Sequence, residues 1–127
     1  MSAAPARISA MPDTPQPFRS AEDAWLWAMA ALKAEREHLP FDGGVKRPCE
    51  PNDVVQCLNS LYRRRRISRE HARILRIWGE RGEAPPEHRR RRCYSAEHHL
   101  WTQAMAVLER PLRARGIVAG ENIKECT

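Results

Sequence analysis

LYRRRRISREHARILRIWGERG, residues 61–82, joins four consecutive arginines to an amphipathic helical pattern. Ser68 can cap the start of this helix, and Gly82 can stop it in the left-handed conformation. One face of the pattern carries the least polar side chains: His71, Ile74, Leu75 and Trp78. Arginines at helical spacing fall on the opposite face. The stretch therefore predicts a helix over residues 69–80 that buries one face and presents arginine on the other.

Three further segments have helical periodicity. The first covers residues 21–37, the second covers residues 51–65, and the third begins at Ser95. Pro111 is expected to end or kink the last of them. Their apolar stripes are Trp25, Ala28, Met29 and Leu32; then Val54, Leu58, Leu61 and Tyr62 with Cys57 alongside; then Leu100, Trp101, Ala104, Met105 and Leu108.

The composition favours an all-α fold. A chain of 127 residues suits one compact domain, and its two phenylalanines and two tyrosines are few for an extensive sheet. We predict a small bundle of about four helices, in which the second and third form a helix-turn-helix. Residues 1–18 are predicted to be a disordered N-terminal arm, residues 19–118 the helical domain, and residues 119–127 a C-terminal tail.

The sequence disfavours several classes of protein. No apolar run has the length of a signal peptide or a membrane span, so we expect a cytoplasmic protein without membrane contact. The four cysteines and five histidines lack the spacing of a zinc site, and we predict neither a metal ion nor a cofactor. We also expect no enzyme activity, because the chain has no phosphate-binding glycine loop, nucleophile elbow or carboxylate cluster.

Excess positive charge is the main functional signal. The chain has a formal charge of +6 and a pI near 9.7. Residues 45–115 hold 17 lysines and arginines against 8 acids, a surplus of +9, so Glu70, Glu80 and Glu83 cannot neutralise the arginine face. Guanidinium groups bind phosphates and base edges bidentately. We therefore predict a sequence-preferring DNA-binding protein, a nucleoid-associated transcriptional regulator whose partner is double-stranded DNA.

The helix-turn-helix interpretation gives the arginines different roles. In this motif the second helix enters the major groove and the junction lies near the sugar-phosphate backbone. Backbone contacts are expected from the junction: Arg63, Arg64, Arg65, Arg66 and Ser68. Base readout is expected from the outer helix face: Arg69, Arg73 and Arg76. A second run is expected to contact another phosphate or the minor groove: Arg89, Arg90, Arg91 and Arg92.

Several alternatives stay open. Both arginine runs can be solvated surface, and the fourth helix can be the DNA reader, through His98, His99 and Gln103. The protein can instead be a helical adaptor whose basic surface binds RNA polymerase or another transcription factor. RNA binding is disfavoured because few aromatic side chains are available for stacking on unpaired bases. A homodimer formed through the first or fourth helix would raise the affinity for DNA.

Two blocks of the sequence carry a resemblance. RPCEPNDVVQCLNSLYRRRRISREHARILRIWGERGEAP, residues 47–85, and LERPLRARGIV, residues 108–118, are similar to a group of small uncharacterised bacterial proteins. The resemblance implies one bacterial domain. No activity is attached to that group, so it transfers no site residue to this chain.

Overall fold

A computed structural model describes residues 14–42, 44–86 and 92–120, without the side chains of residues 92–95. The helices are α1 (Ala21–Arg36), α2 (Pro51–Arg63), α3 (Arg69–Arg81) and α4 (Arg92–Ala114). The described residues contain no strand, only an isolated bridge between Phe18 and Val118. The predicted all-α bundle is confirmed. No described helix is long and apolar enough to cross a membrane.

Local capping chemistry sets the helix boundaries close to those predicted. The Ser20 hydroxyl accepts the N–H of Asp23 at the start of α1. Pro51 is the first residue of α2, where its missing N–H costs no hydrogen bond. Ser68 caps α3, and Gly82 ends it with a φ of 80°, as expected.

Pro111 was predicted to end or kink the last helix, and the first of these alternatives is wrong. α4 begins at Arg92, three residues before the predicted start at Ser95, and continues through Pro111 to Ala114. The proline removes one backbone donor, but the helical bond from the Arg115 N–H to the Pro111 carbonyl is kept at 3.1 Å. Leu112 is fully buried. The free energy gained by burying this last turn outweighs the tendency of proline to end a helix.

Part of the predicted N-terminal arm belongs to the folded domain. The Phe18 side chain is only 2% exposed. Its N–H donates to the carbonyl of Ile117, and its carbonyl accepts the N–H of Ala119, both at 2.8 Å. The fold thus extends ahead of the predicted boundary at residue 19. Residues 1–13 of the arm and 121–127 of the tail lie outside the described residues.

Three buried tryptophans connect the helices in pairs. Trp25 of α1 donates its indole N–H to the Leu75 carbonyl of α3 at 2.9 Å. In the same way Trp78 of α3 donates to Glu97 of α4 at 2.8 Å. Trp101 of α4 donates to Glu22 of α1 at 2.9 Å. The three indole hydrogen bonds therefore join α1 to α3, α3 to α4 and α4 to α1. Each ring contributes apolar area to the core, and each polar atom has a partner on another helix.

α2 packs mainly on α1. Its buried stripe holds Val54, Cys57, Leu58 and Leu61, as predicted. Tyr62 was included in that stripe, but it is 45% exposed. At about 100° per residue, Tyr62 lies at the edge of the stripe rather than at its centre. The pattern therefore assigned one side chain too many to the core.

Gly79 marks the closest approach of α3 to α1. A Cβ atom built on Gly79 would lie 2.7 Å from Cγ of Met29 and 2.9 Å from the indole nitrogen of Trp25. That nitrogen already donates to the Leu75 carbonyl. Glycine is therefore required by packing, although it is a poor helix former.

We predict that Gly79→Ala lowers the free energy of unfolding by about 1–3 kcal/mol, because overpacking exceeds the gain in helix propensity. Urea denaturation followed by circular dichroism measures the change. In a Met29→Ala background the further loss from Gly79→Ala should be smaller, since the main obstacle is gone. A Gly79→Ala protein as stable as the parent would contradict this account of the α1–α3 contact.

Candidate functional site

The turn between α2 and α3 is held by backbone hydrogen bonds. The Arg66 N–H donates to the Leu61 carbonyl at 2.9 Å, and the Arg65 N–H donates to the Tyr62 carbonyl at 3.0 Å. This pair of bonds is the Schellman arrangement, which reverses the chain at a helix C-terminus. Its middle residue, Arg65, has a φ of 62° and so lies in the left-handed region.

An arginine is unusual at that position. α3 and α4 end in the same kind of turn with Gly82 and Gly116 at φ values of 80° and 78°, whereas α1 ends in it with His38 at a φ of 56°. A Cβ atom approaches the following carbonyl oxygen in the left-handed conformation, at a cost of about 1–2 kcal/mol. Strain of this kind persists where the surrounding structure fixes the backbone, and it is enriched at functional sites. Arg65 therefore occupies this position at a cost in stability.

The residues after the turn fix the start of α3. Ile67 is 2% exposed and anchors the turn in the core. The Ser68 hydroxyl accepts the His71 N–H, and His71 Nδ1 accepts the Ser68 N–H, both at 3.2 Å. Because Gln103 Oε1 of α4 can only accept a hydrogen bond, His71 Nε2 donates to it at 3.0 Å. The arginine turn thus has a defined place relative to α4.

The arginines predicted to contact DNA from the junction and from α3 lie on the exposed surface of the turn and of α3. We call this surface the arginine face. Its members belong to the turn and to the outer side of α3: Arg63, Arg64, Arg65, Arg66, Arg69, Arg73 and Arg76, all exposed. None of them forms a salt bridge or a side-chain hydrogen bond with a described residue. Tyr62 lines one concavity with Arg63 and Arg65 and another with Arg69, Arg73 and Arg76, so the arginines of the junction and of the helix lie on adjoining parts of the surface.

The acids considered as partners do not neutralise the arginine face. Glu80 binds Arg36 of α1 at 2.7 Å. Glu70 and Glu83 are exposed and pair with no described cation. From Arg63 to Arg76 the sequence has seven arginines and one acid. The positive charge of this surface is uncompensated within the described parts of the chain.

Ser68 has a different role from the predicted contact with the DNA backbone. Its hydroxyl is engaged in the cap of α3 and is therefore less available to a phosphate. The backbone N–H groups of Arg69 and Glu70 lie in the first turn of α3, where the helix has no acceptors of its own to offer them. A phosphate at this end would meet these amides and the positive end of the helix dipole.

The second arginine run is not part of the described surface. Arg89, Arg90 and Arg91 lie outside the described residues, and Arg92 begins α4 with a side chain that is not described. In the alternative reader, α4, two of the three proposed residues form hydrogen bonds with other parts of the chain, although Gln103 is exposed. His98 contacts the Pro85 carbonyl at 3.2 Å, and Gln103 accepts the hydrogen bond from His71.

A groove lies between α2 and α3 beside the arginine face, with a volume of about 400 Å³. We call it the α2–α3 groove. Its walls combine apolar and basic side chains: Leu58, Asn59, Tyr62, Arg69, Ala72, Arg73, Arg76 and Ile77. Sequence reasoning assigned Tyr62 to the core and gave Ile77 no role. The exposure of these two side chains depends on how α2 and α3 cross, and the sequence pattern does not give that crossing.

The described residues offer little for metal or thiol chemistry. They contain no group of three metal-ligating side chains. Cys57 is buried and Cys49 is partly buried. Desolvation, with a smaller contribution from the Asp53 carboxylate, raises the pKa of the Cys49 thiol to about 11. Cys49 is thus almost wholly protonated near neutral pH and is a poor nucleophile.

Comparisons with known proteins provide no further guide to this surface. The chain matches no protein-family model, no curated protein and no solved structure. The helix-turn-helix and the roles of its arginines therefore stay predictions from the sequence.

We predict that Arg65→Gly raises the free energy of unfolding by about 1 kcal/mol, because glycine adopts the left-handed conformation without strain. Arg64, with a φ of −86°, is the matched control, and Arg64→Gly should lower stability. Urea denaturation of the three proteins measures both effects. Equal destabilisation by the two glycines would show that Arg65 is not strained.

Proposed function

We propose that this protein binds double-stranded DNA with sequence preference and acts in transcriptional control at the bacterial nucleoid. The observation that supports this proposal is the arginine face. It gathers seven exposed guanidinium groups without an acidic partner among the described residues. Self-repulsion makes such a surface unfavourable in isolation, and a polyanion relieves it.

The turn arginines suit the DNA backbone. Arg63, Arg64 and Arg66 surround a backbone that is fixed by the Schellman bonds and by the buried Ile67. Guanidinium groups held by a rigid turn bind phosphates with less loss of conformational entropy than those of a flexible segment. The N-terminus of α3 follows directly and offers backbone amides to one more phosphate. These contacts set position and register and carry no sequence information.

The arginines of α3 suit base readout. Arg69, Arg73 and Arg76 recur at spacings of four and three residues and point away from the core. At 1.5 Å per residue they span about 10.5 Å along the helix. This length corresponds to about three base steps of 3.4 Å. In the major groove each guanidinium can reach the O6 and N7 atoms of a guanine.

The second candidate function is an adaptor that binds RNA polymerase or another regulator. The apolar lining of the α2–α3 groove favours a protein partner. A homodimer of either type of protein would use α1 or α4. Retention of RNA polymerase by the tagged protein after nuclease digestion would favour the adaptor over the DNA-binding protein.

We predict a steep salt dependence of DNA binding. If about six phosphates are contacted, the logarithm of the affinity should fall with the logarithm of the salt concentration with a slope of about −5. Fluorescence anisotropy of a labelled duplex, measured at several salt concentrations, gives this slope. A slope near zero for the folded protein would contradict the proposal.

We predict different effects for arginines of the turn and of α3. Arg73→Ala should cost about 1–3 kcal/mol on a selected duplex and relax the preference at one base step, whereas Arg64→Ala should weaken all duplexes alike. Arg110, an exposed arginine near the end of α4, is the matched control, and Arg110→Ala should change little. Selection from random duplexes followed by anisotropy measures both quantities. Equal losses on selected and random DNA for both variants would show that α3 does not read bases.

A further inference from the structure

The α2–α3 groove has an apolar floor that DNA contact does not explain. Leu58 is 1% exposed and forms its base, while Tyr62 and Ile77 are 45% and 36% exposed along its sides. A duplex presents phosphates to the rim of such a groove and offers little apolar surface to its floor. Exposed apolar side chains that converge on a concavity are typical of sites for protein partners.

The rim of the groove is strongly basic. Arg69, Arg73 and Arg76 line it beside the apolar floor, and they have no acidic partner among the described residues. A partner for this groove needs apolar groups for the floor and carboxylates for the rim. Both must extend along about two helical turns, since the three arginines span about 10.5 Å.

We propose that the α2–α3 groove is a docking site for an acidic amphipathic helix of a partner protein. A helix in a groove presents side chains at i, i+4 and i+7 on one face, which is the spacing of the three arginines themselves. Its apolar stripe packs on Tyr62 and Ile77, above the buried Leu58. Its glutamates or aspartates, beside that stripe, pair with the arginine rim. Charge complementarity selects an acidic helix over a basic one.

Docking of such a helix has a regulatory consequence. The helix occupies the arginines that are proposed to read bases, so peptide and DNA exclude each other from α3. This consequence rests on the proposed function, but the docking itself does not. The turn arginines lie outside the rim and serve DNA alone.

The test uses three synthetic peptides of about four helical turns and the full-length protein. The first has leucines at i, i+4 and i+7 with glutamates beside them. The second replaces the glutamates with glutamine. The third has the composition of the first in an order that abolishes the apolar stripe. Isothermal titration calorimetry at physiological salt measures their affinities.

The first peptide should bind with a Kd in the micromolar range, and the other two on the order of tenfold more weakly. Ile77→Ser should weaken the first peptide by at least about fivefold. Leu39, an equally apolar residue exposed outside the groove, is the matched control, and Leu39→Ser should have no effect. Circular dichroism checks that both variants fold.

Two further measurements separate this proposal from DNA binding. Arg64→Ala should weaken DNA and leave the peptide affinity unchanged, and Ile77→Ser should do the reverse. The first peptide should displace a labelled duplex, whereas the scrambled peptide should not. The docking proposal is overturned if the first peptide does not bind at about 1 mM, or if it binds no better than the scrambled one. It is likewise overturned if Ile77→Ser binds the first peptide like the parent. A loss of DNA binding without a loss of peptide binding does not contradict the docking proposal.

Discussion

The three indole hydrogen bonds between α1, α3 and α4 are the constraint on which the rest of the structure depends. Trp25, Trp78 and Trp101 each bury a large ring and must each satisfy one N–H group away from water. They do so on three different helix pairs, so that α1, α3 and α4 are fixed in rotation as well as in distance. A rotation of any one helix would leave a buried donor without an acceptor.

Fixing the rotation of α3 determines the functional surface. Because Trp78 and Leu75 point inward, Arg69, Arg73 and Arg76 must point outward. The turn before α3 is fixed in a different way, through a left-handed Arg65 and the buried Ile67. Core packing thus orients the arginines of α3, and the turn backbone positions the arginines that precede it. Together they form the arginine face. The arginine face and the α2–α3 groove have two proposed ligands, double-stranded DNA and an acidic amphipathic helix. Both would bind the arginines of α3.

Much of the fold was accessible from the sequence because it depends on local chemistry. Helical periodicity and the cap at Ser68 placed α1, α2 and α3 within two residues of their observed ends. The errors occurred where tertiary contacts outweigh local preference. Pro111 stays within α4 because burial of Leu112 holds the last turn. Phe18 was assigned to an arm because its partners, Ile117 and Ala119, lie at the other end of the described chain.

The sequence by itself determined the helices, their charge and the accumulation of arginine, because these properties depend on residue type and short-range spacing. It also determined that the acids are too few to neutralise the arginine face. Only the tertiary structure decided which side chains meet: that Glu80 pairs with Arg36, and that Tyr62 and Ile77 line a groove rather than the core. Such contacts depend on how helices cross, and the crossing is set by the fit of side chains distant in sequence.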